Sequence, residues 1–371
     1  MTVMTGFSGN EIFCLNLKGF HPGDLVIGNS VHSIGFIGGL TSAFRGVVGG
    51  EVSEITNIVR AGRTEAIGRM QAEAVANGAA GISGATSELR HFQGNIEFIS
   101  VASSLYHAAG KQRTLEFSTN GDAQELYCLI DAGFLPKHFV FGNVAYSIGL
   151  GGGLMGGFKS LVRGEIKEFS NVFNATRHVA LRRICGEARA AGANCVLGIN
   201  TKLIPFQGVH EMIMTGTAAH HDAYAGAGET IATSDLTCEE TWNLAAMGYV
   251  PLKLVLGTAV YSLGVVGGLK AAFKSLARGE ISYLTSLVYE AREHAIDIIR
   301  REAESIGADS VVGIKTHIHE MGSLIEFMAI GTAIKRMPGV KTLTATLPPQ
   351  AVIRDKETWI SNDYTSFGTT E

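Results

Sequence analysis

Cysteine is scarce and unpaired: the 371 residues contain 5, scattered singly, with no C-x-x-C pair. An odd, dispersed set excludes a disulfide framework and a thiolate-rich structural zinc site, and it fits a reducing cytoplasm. Charge of either sign is also thin. Charged residues make up 17%, the net charge is −4 and the pI is near 6.3, so the basic excess of a non-specific nucleic-acid binder is missing. Nucleic acid is therefore not an expected partner. Hydrophobic residues reach 46% and the mean hydropathy is +0.20, yet no uninterrupted run of about 20 apolar residues is present to cross a membrane. The apolar surplus is then expected at contacts between units or between chains. The opening residues MTVMTGFSGN lack a positive segment followed by an apolar one, so no secretory signal is read there.

What the chain does have is glycine, 47 in all, and repetition. The stretch Ser262 to Glu280 (SLGVVGGLKAAFKSLARGE) recurs at Ser33 to Glu51 and at Ser147 to Glu165, with 8 of 19 positions identical in all three. The copies are offset by 114 and then 115 residues, the mark of one supersecondary unit written three times. Units of about that length match the usual domain size.

Each unit reads in the same order. A short amphipathic helix ends at Gly19, Gly133 or Gly248, followed by an aromatic residue and then a proline. A β-branched and aromatic strand follows at 25–31, 139–146 or 254–261, with a glycine at its centre (Gly28, Gly142, Gly257) that predicts a bulge or a close backbone approach. The glycine-rich stretch, with Gly38, Gly39, Gly152, Gly153, Gly267 and Gly268, could be a loop, a hairpin or a short helix. A helix of about 27 residues then runs to Gly78, Gly192 or Gly307, and two strands close the unit, starting at Ala80, Asn194 and Asp309 and at Asn95, Val209 and Leu324. The polar stretches near 107–122 and 219–237 read as linkers, and 337–371 as an extended or disordered tail.

The string AGF-x-P, strand with central Gly, S-[IL]-G-x-x-GGL, RGE, long helix, GA[DN]-x-V-[VL]-GI and a strand ending GTA resembles the YbjQ-like family, described as a "putative heavy-metal-binding" domain. The resemblance covers residues 8–106, 122–219 and 236–336. It implies an α+β fold of three tandem dodecin-like β-α-β-β units and, because single-unit relatives form rings of five, a homo-oligomer. Five is not a multiple of three, so either five chains build three stacked rings of like units, or two chains alternate in a ring of six; the pentamer is the expected form. Unit 1 departs from the pattern, with GISGAT at 81–86 in place of CVLGIN and SVVGIK.

Four charged positions recur in every unit: Glu51/Glu165/Glu280, Arg63/Arg177/Arg292, Glu73/Glu187/Glu302 and Glu97/Glu211/Glu326. Each arginine is positioned to meet a glutamate of a last strand or of a neighbouring unit, as an ion-pair set that fixes packing. The metal label directs attention to His317 and His319, which alternate on a predicted strand and so share a face, a fragment of a site for a divalent transition metal. Their counterparts are Lys202 and Ile204, and Glu88 and Arg90, so the pair is not part of the repeated design. His220 and His221 read as solvent-facing, and Cys14 and Cys128 as buried. Gly152 to Ser160 imitates a P-loop but has Phe158 where the second glycine must stand. No repeated nucleophile–base arrangement is present. The sequence thus reads as a non-enzymatic oligomeric scaffold or small-ligand binder; the rivals are a metal-ion binder and a peripheral membrane protein using the glycine-rich stretches with Arg45, Lys159 and Lys274.

Overall fold

The computed structural model describes residues 2–33, 50–92, 95–108, 110–147, 164–206, 209–226, 228–262, 282–321 and 324–351. The three glycine-rich stretches, Glu280 and residues 352–371 lie outside these. Unit 1 comprises α1 (Gly9–Leu17), β1 (Phe20–Ser33), β2 (Gly50–Glu51), α2 (Ser53–Asn77), β3 (Gly81–Ser83), β4 (Glu88–Phe92) and β5 (Asn95–His107). After β6 (Phe117–Ser118), unit 2 has α3 (Ala123–Asp131), β7 (Leu135–Ser147), β8 (Gly164–Glu165), α4 (Lys167–Ala190), β9 (Cys195–Phe206) and β10 (Val209–His220). β11 (Ala232–Thr233) leads into unit 3, with α5 (Cys238–Ala246), β12 (Tyr249–Ser262), α6 (Ser282–Ser305), β13 (Ser310–Met321) and β14 (Leu324–Arg336). The chain is α+β, with the expected order of elements in all three units.

Local chemistry explains the short helices. Ser8, Asp122 and Thr237 cap the first turns, and Glu11, Glu125 and Glu240 reach back to complete capping boxes. The stops fall where expected, because Gly19, Gly133 and Gly248 hold φ near +80° (80°, 83° and 82°), a conformation that favours glycine. The central strand glycines answer to a close approach: a Cβ on Gly142 would stand 2.2 Å from the carbonyl oxygen of Ala180 and 2.6 Å from the amide nitrogen of Ile184. Gly28 and Gly257 face α2 and α6 in the same way. The long helix therefore lies almost in backbone contact with its own first strand.

The three sheets run β1-β5-β3-β6 with β4 also on β5, β11-β9-β10-β7-β2, and β13-β14-β12-β8. Two features join them into a series. The linkers are not free chain, since β6 and β11 add parallel to β3 and β9 before passing to the next unit. And β2 of unit 1 pairs with β7 of unit 2, as β8 of unit 2 pairs with β12 of unit 3. Each of α2 and α4 is consequently packed between its own sheet and the next one: Ile67, Met70, Val26, Phe139, Phe141 and Ile213 share one core, and Phe173, Ile184, Val144, Leu254, Val260 and Met328 share another.

The expected loose tail is in part a strap. Residues 338–351 return to the short helices, where the Leu343 amide donates to the Asp131 carbonyl (2.8 Å) and Ala351 is fully buried beside Cys14 and Cys128. Asp131 is enclosed and gathers all three units: it accepts from Lys18 Nζ (2.8 Å), Trp242 Nε1 (2.8 Å) and Thr344 Oγ1 (2.7 Å). His221, expected in solvent, is also buried, because its ring packs on Phe134 with centroids 4.4 Å apart.

Candidate functional site

The charged positions repeated in sequence converge on the junctions between units. At the first junction Arg63 of α2 meets Glu211 of β10, with Nε to Oε1 at 3.1 Å and Nη2 to Oε2 at 2.7 Å; Nη1 also donates to the Ser87 carbonyl at 3.0 Å. At the second, Arg177 of α4 meets Glu326 of β14, with Nη2 donating to Oε1 and Oε2 at 2.8 Å each and Nε to Oε1 at 3.2 Å. None of these four side chains is more than 1% exposed. The rule is that the arginine of one unit pairs with the last-strand glutamate of the next. Burial alone would pull the Arg177 guanidinium down, but the Glu326 carboxylate carries it above its ordinary value. The same cation lies 4.4 Å from the centre of the Tyr146 ring.

Backbone bonds seal each junction in the same register. The Val52 amide donates to the Ala145 carbonyl (2.8 Å) and Thr56 Oγ1 accepts from the Ala145 amide (2.9 Å); Ile166, Val260 and Ser170 repeat both bonds at 2.8 and 2.9 Å. These contacts occupy the outer hydrogen-bonding edge of β7 and β12, which would otherwise stay open. The other retained glutamates serve the same surfaces. Glu51 accepts from Arg183 across the first junction (2.7 Å), and Glu165 faces His294 Nδ1 across the second (3.2 Å). Glu73 and Glu187 accept from the Ile27 and Phe141 amides at 2.7 and 3.0 Å, and Glu302 from the Leu256 amide at 3.3 Å, each capping a strand amide beside the central glycine. Glu187 also takes Arg60 of unit 1 (2.9 Å), and burial pushes its carboxyl up from the usual range.

Arg292 and Glu97 are the unmatched ends of the series. Arg292 is exposed on α6 and has no ion-pair partner among the described residues. Glu97 is half-buried and held by Asn29 Nδ2 at 3.2 Å, as Asn143 holds Glu211 at 3.3 Å. The two junctions occupy both faces of unit 2 but only one face each of units 1 and 3.

His317 and His319 separate in environment. His317 is exposed, whereas His319 is half-buried at the second junction, where its Nε2 is enclosed without a hydrogen-bond partner among the described residues. Sequence reasoning missed its neighbour in that setting, His210, whose enclosed Nδ1 is likewise unpartnered. Burial holds both imidazoles below their ordinary pKa, and Arg177 adds to the effect on each. In the other units the seat of His210 is taken by Ile96 and Ile325, so no repeated pattern could have marked it.

As a metal centre the donor set does not fit. Among the described residues no three His, Cys, Asp or Glu side chains are grouped to hold an ion. Burial pushes the Cys14 and Cys185 thiols up to about 11, and raises those of Cys128, Cys195 and Cys238 as well, the signature of buried structural cysteines. The two unpartnered histidine nitrogens sit beside a buried guanidinium rather than a spare carboxylate.

One large groove also lies at the second junction. Its volume is about 970 Å³, it opens between α4, β11 and β12, and it is lined by Leu181, Cys185, Ile231 and Leu252 with the charged Arg182, Arg189, Lys253 and Glu229.

Comparison with known sequences places these units in context. The family described as "Putative heavy-metal-binding" matches at residues 21–103, 136–222 and 247–337. A Mycobacterium tuberculosis protein named encapsulin nanocompartment protein Rv1762c is 32% identical over 238 residues, which is 61% of this chain and 87% of that protein. UPF0145 proteins of Pseudothermotoga lettingae and Thermosipho africanus are 47% and 42% identical over 85 residues, 23% of this chain and 80% and 79% of theirs.

Proposed function

Starting from the chain's membership of this YbjQ-like, UPF0145 family, in three tandem copies, we propose that it is a non-enzymatic, cytoplasmic scaffold that self-assembles. The observation that carries this reading is the pair of buried Arg–Glu bridges, Arg63–Glu211 and Arg177–Glu326. The charge repeated from unit to unit serves to join the units: Arg63, Arg177, Glu211 and Glu326 are all engaged across the junctions, where they hold structure together rather than face a cleft. The nanocompartment name of the mycobacterial relative is consistent with assembly as the shared role. No helix among the described residues is long and apolar enough to cross a membrane, and the membrane-contact reading rests on glycine-rich stretches outside them. The test is native mass spectrometry of the intact chain. A defined multiple of 39.3 kDa is expected, and a single chain at micromolar concentration would remove the scaffold role.

A second reading has its own observation, the groove between units 2 and 3. An apolar lining that includes three cationic side chains, Arg182, Arg189 and Lys253, against one carboxylate, Glu229, suits a small apolar ligand bearing an anionic head. Titration with dodecanoate, read by calorimetry, should give saturable binding that Arg182→Glu weakens; absence of heat up to millimolar concentration would discard the idea.

A further inference from the structure

The two internal junctions specify a third that the chain does not make with itself, since both end faces stay exposed. Every surface a unit offers its neighbour can be followed through the repeat by adding 114 or 115 residues. On the receiving side, Phe139, Phe141 and Ala145 of unit 2 are 5%, 4% and 0% exposed, and Leu254, Leu256 and Val260 of unit 3 are all 0% exposed. Their unit 1 equivalents, Leu25, Ile27 and Val31, are 40%, 48% and 50% exposed. These three side chains share one face of β1, and Glu97 stands directly across from Val31 on β5. On the offering side, Arg63 and Arg177 are wholly buried, whereas Arg292 is exposed on α6, near Tyr289 at 65%. An apolar sheet face with a prepositioned carboxylate thus remains at one end of the chain. A helix face whose guanidinium has no ion-pair partner among the described residues remains at the other.

We propose that these two faces bind each other between copies of the chain, with Arg292 of one copy pairing with Glu97 of the second in a junction built like the two internal ones. This junction rests on the self-assembling reading above and adds to it the surface, the polarity and the partner. Continuity selects a second copy over any other occupant, because the geometry, the apolar face and the sign of the charge are already realised twice within the chain. Asn29 holds Glu97 as Asn143 holds Glu211, so the receiving carboxylate is set before the partner arrives. Arg90, across from Glu97 on β4, is engaged by Glu88 at 2.7 Å. Three seats per chain make two chains the smallest closed ring. A ring of two carries two such junctions related by a two-fold axis, and a head-to-tail contact that closes leaves neither end face exposed.

The test uses the full-length chain and charge reversal. Wild-type protein is expected at twice 39.3 kDa. Arg292→Glu alone and Glu97→Arg alone should each weaken the chain–chain Kd at least ~100-fold, since each puts like charges into a site built to enclose an ion pair. Both substitutions lie on surfaces exposed in a single chain, and far-UV circular dichroism should show each variant folded. The decisive arm mixes the two variants. In the mixed ring one junction carries the reversed pair and the other the native pair, so assembly should return, as it should in the doubly substituted chain. If either single variant assembles as tightly as wild type, this junction is wrong while the scaffold role stands. If wild type itself stays at one chain, both fall. Failure of the mixture and of the double variant to reassemble would also overturn the pairing.

Discussion

Replacing Arg177 by methionine tests the energetic core of the second junction. The guanidinium and its Glu326 partner are 0% and 1% exposed and share three hydrogen bonds of 2.8 to 3.2 Å. Removing one member leaves the other enclosed, a change that costs ~3–5 kcal/mol. Because Arg177 also faces Tyr146 at 4.4 Å, the upper half of that range is expected. Taking out both partners should behave differently: with Arg177→Met and Glu326→Met together, no charge is buried and similar volume is kept, so the double variant should fall within ~1 kcal/mol of the parent. The coupling energy of the cycle is then at least ~2 kcal/mol. Urea unfolding at pH 7.5, followed by far-UV circular dichroism with the slope checked for constancy, gives each corner of the cycle. A loss below ~1 kcal/mol for Arg177→Met would place the pair among surface bridges. A double variant as unstable as the single would show that the lost term was packing and not charge.

Other outcomes follow from single contacts. Gly142→Ala should destabilise by ~1–3 kcal/mol or more because its Cβ would meet backbone atoms of α4, while Gly186→Ala, with open space around it in the same helix, should stabilise by ~0.5–1 kcal/mol in the same urea assay. His210 and His319 are held below their ordinary pKa, so the unfolded chain binds more protons below about pH 6.5 and stability should decline as pH falls from there; in the variant with His210→Ile and His319→Ile the urea midpoint should change less between pH 7.5 and 5.5. Zinc or nickel binding measured by calorimetry should be the same for the parent and for His317→Ala with His319→Ala, and a ~10-fold loss would restore a metal role to that strand. Asp131→Leu should cost ~3–5 kcal/mol, since Lys18 and Trp242 both lose an enclosed partner; protection of residues 338–351 in hydrogen exchange should drop with it.

What could be read from sequence was what the chain says three times. Glycine after the short helix, glycine at the centre of the first strand, and the Arg and Glu positions all stood out because the same chemistry recurs at constant spacing. The partnerships were only half visible. Helical geometry turns Arg177 away from its own Glu187 and so points to a glutamate of a last strand or of a neighbouring unit, but it does not say which; the partner is Glu326, 149 residues away, because β14 is delivered by the next unit. Features present once were hidden altogether. Asp131 has Leu17 and Ala246 as its counterparts, so nothing marked it as the point where three units and the strap meet. The strap looked like loose polar chain because its contacts come from isolated residues, Val340, Thr344, Leu347 and Ala351, with no periodic apolar pattern behind them.

A buried ion pair is a weak source of stability compared with an apolar contact of the same volume, so its presence at both junctions asks for another reason. Alignment supplies one. The packed faces of α2 and α4 are largely aliphatic and aromatic, and a helix of that kind can slide along the next sheet with modest loss. An arginine that must find one carboxylate penalises any displaced arrangement with an unpaired buried charge, and the paired amides at Ala145 and Val260 close only in that alignment. The bridge is the same at both junctions and so cannot say which unit belongs beside which. That choice falls to the residues around it: Ile96 and Ile204 at the first junction are replaced by His210 and His319 at the second. An Ile-for-His mismatch would leave an imidazole against an aliphatic seat, which disfavours the wrong neighbour without weakening the right one. Common bridge and private surroundings together let three copies of one unit diverge in sequence while keeping a fixed order in the chain.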